Sequence, residues 1–397
     1  MKKRWKYGML AVLSTLLLSA CGENEDYTAL ENESIEDEMS ESVQDEENES
    51  DQEEENESTP MEAGGYSLTE EIAVDGHVSD PVFYISGNGD TVLWAEKPGQ
   101  FTQIEGSKVW VDGETKEADI PERDPAIQPM LSESGMIVYS HSDRDKPVEE
   151  RYWVAELNPS TGELNEYYMD NDWDNYITTL GSNYSENPRQ VIGILNHYDE
   201  EVVQMYIWDI DADEIKELDV TETVANEVDL DELTSYPHGA VTNDGMEMYA
   251  TVADVGIFHY DLENDTAEFI YSAKEGFFSN NEKSKTSILT ADDRFILYAI
   301  VEERRMTHFA YEIETGESVE LGEGIATYPL ADGSVMMFNY DDEFIHFNLD
   351  DDTSTVAHTP ELGEDEKIDS FTVSRDGSTL AYVVRDNDKS VIRLLQR

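Results

Sequence analysis

Ser374-Arg-Asp-Gly-Ser-Thr-Leu-Ala-Tyr382 is a tight turn followed by an alternating strand that ends in an aromatic residue, and this signature recurs along the chain. Glycine adopts positive φ without steric cost, so Asp-Gly pairs form tight turns between strands. Related copies occupy residues 86–94, 132–139, 242–249, 290–298 and 330–338, and a weaker copy occupies 185–195.

A second signature follows most copies of the first and is typical of a β-hairpin. It combines aromatic and acidic residues, an apolar residue, a polar turn and another strand. It occurs at residues 152–164, 206–215, 258–269, 309–319 and 344–354, with a looser copy at 108–120.

The spacing of the repeats predicts an all-β fold. The turn markers Gly89, Gly135, Pro188, Gly245, Asp293, Gly333 and Gly377 are 46, 53, 57, 48, 40 and 44 residues apart. This period suits one four-stranded blade of a β-propeller, a unit that buries both faces only by stacking in a ring. We predict seven antiparallel blades, with six or eight as alternatives. The repetition disfavours a pair of β-sandwiches.

The end of the chain predicts how the ring closes. The last repeat, residues 371–395, supplies three strands only, whereas the strand-like stretch at 66–74 belongs to no other repeat. We therefore expect residues 66–74 to be the fourth strand of the last blade.

The turn at residues 374–383 resembles the Ser-Pro-Asp-Gly-x-x-Leu-Ala-aromatic core of the WD-like repeats in TolB-type propellers, with Arg375 in place of the usual proline. The resemblance extends through short motifs over residues 66–397. It implies a β-propeller domain but no activity, because propellers host many functions.

The N-terminus has the pattern of a secretory signal peptide. Residues 1–7 carry four basic residues, and the apolar run at 9–18 is too short to span a bilayer. The ending Leu18-Ser19-Ala20-Cys21 resembles the lipobox of bacterial lipoproteins, which implies cleavage after residue 20 and lipidation of Cys21. Because Cys21 is the only cysteine, an ordinary secretory signal is the lesser alternative, and no disulfide is expected.

Residues 21–65 are predicted to be a disordered acidic linker. Positions 22–62 contain 19 acidic residues and no Lys or Arg, so they lack the apolar surface needed for folding. We expect a spacer between the lipid on Cys21 and the propeller at 66–397. A tail that binds cations is the alternative.

The charge of the chain excludes some classes of partner. Its net charge is −66, and residues 63–397 retain 72 acidic against 21 basic residues. Binding to nucleic acid requires patches of Lys and Arg, so no nucleic-acid partner is expected. The spread of acid along the chain favours adaptation to a salty environment. Recognition of a cationic partner or a divalent metal is the alternative.

No catalytic motif is present in the sequence. A Gly-x-Ser-x-Gly nucleophile elbow and a His-Glu-x-x-His zinc motif are both missing, and no cofactor is expected. His259 and His346 lie in hairpin strands, where packing or exposure at a sheet edge is the expected role. Residues 221–233 predict a short helix, with Thr221 as its N-cap.

Two acidic runs resemble half of a calcium loop. They are Asp209-Ile-Asp211-Ala-Asp213-Glu214 and Asp170-Asn-Asp172-Trp-Asp174-Asn175. Both lack the glycine and the bidentate glutamate of an EF-hand, so calcium is a minor alternative and no metal site is predicted.

We therefore expect a lipid-anchored, extracytoplasmic β-propeller at the cell membrane that binds a protein or an envelope polymer without catalysis. The alternative is an envelope enzyme that acts on glycans or peptides through carboxylates on one propeller face. The acid content is too high for any particular carboxylate pair to stand out.

Overall fold

The fold was obtained as a computed structural model, and its described residues belong to one compact unit, Glu62–Arg397. The predicted signal peptide at 1–20, Cys21 and linker residues up to 64 lie outside the described residues. The structure describes residues 65–74, 77–96, 107–118, 120, 129–142, 146–147, 150–169, 176–178, 184–186, 188–196, 202–230, 233, 237–273, 276–279, 287–363, 365–386 and 389–397.

Short strands dominate the described residues, as the alternating pattern predicts. The first half comprises β1 (Ser67–Val74), β2 (Val78–Ile85), β3 (Thr91–Glu96), β4 (Ser107–Val111), β5 (Glu114–Glu117), β6 (Met130–Leu131), β7 (Ile137–Ser142), β8 (Tyr152–Leu157), β9 (Leu164–Tyr168), β10 (Tyr176–Thr178), β11 (Tyr184–Glu186), β12 (Arg189–Asn196), β13 (Gln204–Asp209) and β14 (Glu214–Asp219). The second half comprises β15 (His238–Val241), β16 (Glu247–Val252), β17 (Gly256–Asp261), β18 (Thr266–Ser272), β19 (Phe277–Ser279), β20 (Phe295–Glu302), β21 (Arg305–Glu312), β22 (Ser318–Pro329), β23 (Val335–Asn339), β24 (Phe344–Asn348), β25 (Thr353–His358), β26 (Glu366–Val373), β27 (Thr379–Asp386) and β28 (Lys389–Gln396).

Most strands pair with their sequence neighbours, and the sheets are antiparallel. Four sheets have the orders β2-β3-β4-β5, β6-β7-β8-β9, β15-β16-β17-β18 and β1-β28-β27-β26. A fifth has the order β10-β12-β13-β14, and β11 pairs with the other end of β12. This pattern of small meander sheets confirms the all-β, four-stranded antiparallel prediction.

One long strand joins two ladders into a seven-stranded sheet, β19 to β25. The first half of β22 pairs with β21, and its second half pairs with β23. Each half therefore completes a four-stranded ladder of its own. Because the two ladders share a strand, the number of blades stays a prediction.

The first and last strands of the unit lie side by side. Strand β1 pairs with β28 from Ser67 opposite Gln396 to Val74 opposite Ser390. Arg393 of β28 forms an ion pair with Glu71 of β1 at 3.0 Å. Residues 67–74 thus supply the missing fourth strand, as the incomplete last repeat predicts.

Backbone hydrogen bonds link the repeated turns of neighbouring sheets. The Gly87 N–H donates to the Glu133 carbonyl at 2.9 Å, and the Asp376 N–H donates to the Gly87 carbonyl at 3.0 Å. Arg375 pairs with the Glu133 carboxylate at 2.5 Å. Three successive turns, from the last sheet through the first to the second, are therefore connected, and β2 packs against both β26 and β6.

Apolar side chains fill the space between successive sheets. In β13, Tyr206 and Trp208 pack towards the preceding sheet, whereas Met205 and Ile207 pack towards the following one. Each buried side chain of this size stabilises the fold by about 1.5–3 kcal/mol. Both faces of a sheet are thus covered, which is why the repeats need one another.

The predicted helix at 221–233 is shorter than expected. Helix α1 spans Thr221–Ala225, and Val224 is its buried residue. The prediction that Thr221 caps it is wrong, because the Thr221 hydroxyl bonds to the backbone of Val203 and Val220 occupies the N-cap position. Among the described residues, no helix is long and apolar enough to cross a membrane.

Candidate functional site

The repeated turns share one hydrogen-bond arrangement. In the last copy, the Ser374 hydroxyl donates to the Asp376 carboxylate at 2.7 Å and accepts the Thr379 N–H at 2.9 Å. Thr290 and Asp292 form the same pair at 2.6 Å. The residue after the aspartate has positive φ, 67° at Gly377 and 57° at Asp293. This arrangement fixes each turn at the end of its sheet.

The turn before β23 departs from this arrangement. Leu330 stands where other copies have a serine or threonine, so it cannot donate to Asp332. Instead, Asp332 accepts the Ser334 hydroxyl at 2.5 Å and the Ser334 N–H at 3.0 Å. The same hydroxyl lies 2.8 Å from Nε2 of His346 on β24.

A cleft of about 100 Å³ separates this turn from the turn before β20. Gly333 brings the two turns together, because a Cβ built there would lie 2.9 Å from the Asp292 carboxylate. We call this space the turn cleft; its charged and polar lining includes Asp292, Arg294, Asp332, Ser334, His346 and Asp350.

Arg294 crosses the turn cleft from one ladder to the next. Its guanidinium bonds to Asp350, in the turn between β24 and β25, and lies 3.4 Å from Glu312 and 3.7 Å from Asp292. It also lies over the Phe295 ring, 5.1 Å from the ring centroid. Carboxylates from both ladders thus hold one guanidinium at the cleft.

The charges of Asp332 and His346 follow from their surroundings. Burial raises the pKa of Asp332, but the hydrogen bonds from Ser334 outweigh it, so the pKa lies below its ordinary value. Burial lowers the pKa of His346; the Asp332 carboxylate opposes this shift, and Arg397 adds to it. At neutral pH, Asp332 is therefore ionised and His346 is neutral.

The hydrogen bonds among Asp332, Ser334 and His346 determine which of these groups donates and which accepts. Because an ionised carboxylate only accepts, the Ser334 hydroxyl donates to Asp332, and Nε2–H of neutral His346 donates to Ser334. In a nucleophilic triad the histidine lies between the serine and the carboxylate. Here Ser334 lies between Asp332 and His346. The histidine donates a hydrogen bond to the serine hydroxyl, so it does not act as the base that would remove the hydroxyl proton. The arrangement suits binding better than nucleophilic attack.

The residues singled out from the sequence lie in separate places. His346, expected only to pack or to lie at an edge, contacts Ser334 in the turn cleft. His259 stacks on Tyr249 with 5.0 Å between ring centroids, and lies 3.8 Å from Glu247 and from Glu268. Cys21 lies outside the described residues.

The first acidic run is a hairpin turn between β13 and β14. Asp209 accepts the Ala212 N–H at 2.9 Å, and Asp211 pairs with Arg189 at 3.1 Å. The second run, at 170–175, lies outside the described residues. Within the part of the chain that the structure describes, no group of three or more acidic, histidine or cysteine side chains is placed to hold a metal ion.

Sequence reasoning missed Ser334, Asp332, Arg294 and Asp350. One signal was available, because Leu330 breaks the serine or threonine rule of the repeated turn. A missing hydroxyl leaves the following aspartate without its usual donor, which marks this turn as different. No departure from the repeat marked Arg294, which comes from the neighbouring ladder.

No family model and no curated protein matches the chain. Among solved structures, it is similar to the β-propeller domain of Cps50 (Swd1) from Myceliophteria thermophila, with TM-score 0.50 and 14% identity over 84% of this chain and 99% of that one. It is also similar to an oligogalacturonate lyase in complex with manganese, with TM-score 0.51 and 10% identity over 83% of this chain and 96% of that one. At these identities the likeness shows the fold alone: the chain is a β-propeller.

Proposed function

We propose that this protein is a non-enzymatic binding or scaffold module, held at the extracytoplasmic face of the membrane by lipid on Cys21, that recognises a basic protein or envelope polymer. The turn cleft is the proposed recognition site. The acidic linker at 21–65 separates it from the lipid.

The observation that carries this proposal is the pairing within the turn cleft. Asp292 and Asp350 pair with the guanidinium of Arg294, whereas Asp332 bonds to Ser334 beside a neutral His346, so the lining keeps two negative charges. Ser334 is engaged on both sides and is not activated for attack. An acidic cleft whose groups already bond to one another supports binding of a cationic group.

The anchor is supported by the sequence alone. The basic start, the short apolar run and Cys21 together resemble a lipobox. A two-chain lipid is enough to keep a protein on a membrane. We propose no nucleic-acid partner, because residues 63–397 carry 72 acidic against 21 basic residues.

Site-specific crosslinking in cells tests recognition at the cleft. A photoreactive residue replaces Leu349, which lines the cleft, and a matched control replaces Leu164 on β9, which is 44% exposed. We expect a defined basic partner from position 349 and none from position 164. The same products from both positions would contradict a specific site.

The anchor has its own test. Cys21→Ser is expected to move the protein from the membrane fraction to the soluble fraction while leaving the far-ultraviolet circular dichroism and the thermal midpoint of the propeller unchanged. Retention of the variant in the membrane fraction would mean that another feature holds the protein there.

The alternative is an envelope enzyme that acts on glycans or peptides. It would need clustered carboxyls of raised pKa. Among the described residues, burial raises the pKa of Asp293 and Asp342, which lie in turns of different ladders. Turnover of uronate oligosaccharides or envelope peptides that Asp293→Asn or Asp342→Asn abolishes would favour this alternative.

A further inference from the structure

Strand β25 is an open edge of its sheet. It pairs with β24 from Asn348 opposite Thr353 to Phe344 opposite His358, and it ends the strand order. Residues 353–356 are exposed, and the side chain of Val356 is 47% exposed. No other hydrogen bond involves residues 353–358 among the residues that the structure describes. One side of this strand therefore presents unpaired N–H and C=O groups.

Within the described part of the chain, this edge lacks the usual protection. Natural proteins place charged residues, proline or a covering segment on exposed edges to prevent strand addition. The sequence Thr-Ser-Thr-Val-Ala-His of β25 contains no Asp, Glu, Lys or Arg. At the corresponding end of every other described ladder, opposite the end formed by β26, β2, β6, β10, β15 or β19, the edge strand contains glutamate; these edge strands are β1, β5, β9, β14, β18 and the first half of β22.

The charge at the start of β25 indicates what fits there. Asp350, Asp351 and Asp352 come directly before the strand and are exposed. Asp350 also lines the turn cleft, so the start of the open edge lies close to the cleft. A second copy of this chain would bring the same excess of acid to the edge and be repelled, whereas a basic segment would be attracted.

We propose that β25 is a docking edge for an extended, basic segment of a partner protein, which adds to it as an antiparallel strand. This inference rests on the proposed function, because it names how that partner would bind. Antiparallel addition places the C-terminal end of the segment beside Thr353. Its Lys or Arg side chains then lie beside Asp350 to Asp352, and its backbone completes the hydrogen bonds of the edge.

A labelled peptide tests the edge in the full chain, held in detergent. The probe is a short alternating threonine–valine peptide that ends in two lysines, and binding is followed by fluorescence anisotropy. The control peptide has the same sequence with alternate backbone nitrogens methylated, which keeps the charge but removes the donors. We expect saturable binding of the first peptide and at least about tenfold weaker binding of the second.

Two pairs of variants locate the binding. Val356→Lys is expected to weaken it at least about tenfold, because a charge on an edge blocks strand addition, whereas Leu164→Lys on edge strand β9 has no such effect. Asp352→Asn is expected to weaken it about two- to fivefold. Asp213→Asn is the control, since both aspartates adopt positive φ, 50° and 53°, which asparagine tolerates.

The outcomes separate the alternatives. Equal binding of the methylated peptide, or unchanged affinity in Val356→Lys, would overturn the proposal in favour of diffuse electrostatic attraction. Concentration-dependent self-association that Val356→Lys abolishes would overturn it in favour of a second copy. Either result leaves crosslinking from position 349 as a separate measure of the proposed function.

Discussion

The hydroxyl of Tyr66 donates a 2.5 Å hydrogen bond to the carbonyl oxygen of Gly377, 311 residues further along the chain. Tyr66 directly precedes the closing strand β1, and Gly377 lies in the turn before β27. Burial raises the pKa of Tyr66, so the hydroxyl stays protonated and available as a donor. The bond therefore joins the start of the unit to its last repeat.

Tyr66→Phe removes this bond and leaves a buried carbonyl without its partner. We expect the free energy of unfolding to fall by about 1–2 kcal/mol, measured by chemical denaturation. Tyr168→Phe is the control, because the Tyr168 hydroxyl bonds to Glu166 at the surface. Equal effects of the two substitutions would show that the closure bond contributes no more than a surface contact.

Gly89→Ala tests the close approach of neighbouring turns. A Cβ at this position would lie 2.1 Å from Oγ1 of Thr379, which is buried. Gly113→Ala is matched, since Gly89 and Gly113 have φ of 76° and 77° but Gly113 has nothing within 4 Å. Both substitutions introduce the same backbone strain. The additional loss of unfolding free energy in Gly89→Ala, about 1–3 kcal/mol, therefore measures the overpacking against Thr379. Equal unfolding free energies for Gly89→Ala and Gly113→Ala would mean that the turns containing Gly89 and Thr379 move apart at no cost.

His308 makes stability depend on pH. It is 1% exposed, and burial lowers its pKa from 6.5 to about 4, although a 3.1 Å contact with the Gly324 carbonyl opposes the shift. Unfolding therefore takes up a proton between these two values, and the stability falls as pH falls through this window, by up to about 3 kcal/mol from this group.

The measurement is the difference in unfolding free energy between wild type and His308→Gln across pH 4 to 8. We expect this difference to be constant above pH 7, where the histidine is neutral in both states. Below pH 6.5, we expect wild type to lose stability relative to His308→Gln. A difference that stays flat down to pH 4 would show that His308 is readily protonated in the folded state.

Salt is expected to stabilise the folded unit. Residues 63–397 carry 72 acidic against 21 basic residues, so repulsion among carboxylates opposes the compact state, and salt screens that repulsion. The thermal midpoint should rise as sodium chloride increases from low to molar concentration. A midpoint that falls or stays level would argue against adaptation to a salty environment.

The strands and turns were predictable because their signals are local. Alternation and Asp-Gly pairs specify a strand and a turn within a few residues, and the incomplete last repeat indicated a closing strand at 66–74. The Thr221 cap failed for a tertiary reason, since the backbone of Val203 competes for the same hydroxyl.

The turn cleft was not predictable, because its contacts cross between ladders. Arg294 and Asp350 are 56 residues apart and approach only after both ladders have formed. No local pattern encodes that approach, and an arginine beside many acids is unremarkable in so acidic a chain. Leu330 is the single residue whose departure from the repeat pointed to this turn.

The long strand β22 has a mechanical consequence for recognition. It belongs to both ladders that border the turn cleft, so hinge motion between them would bend a continuous strand and strain its hydrogen bonds. The shared strand therefore limits the relative movement of Arg294 and His346 before any ligand arrives. A preorganised cleft loses little conformational entropy on binding, and it discriminates by rigid shape rather than by closing around its ligand.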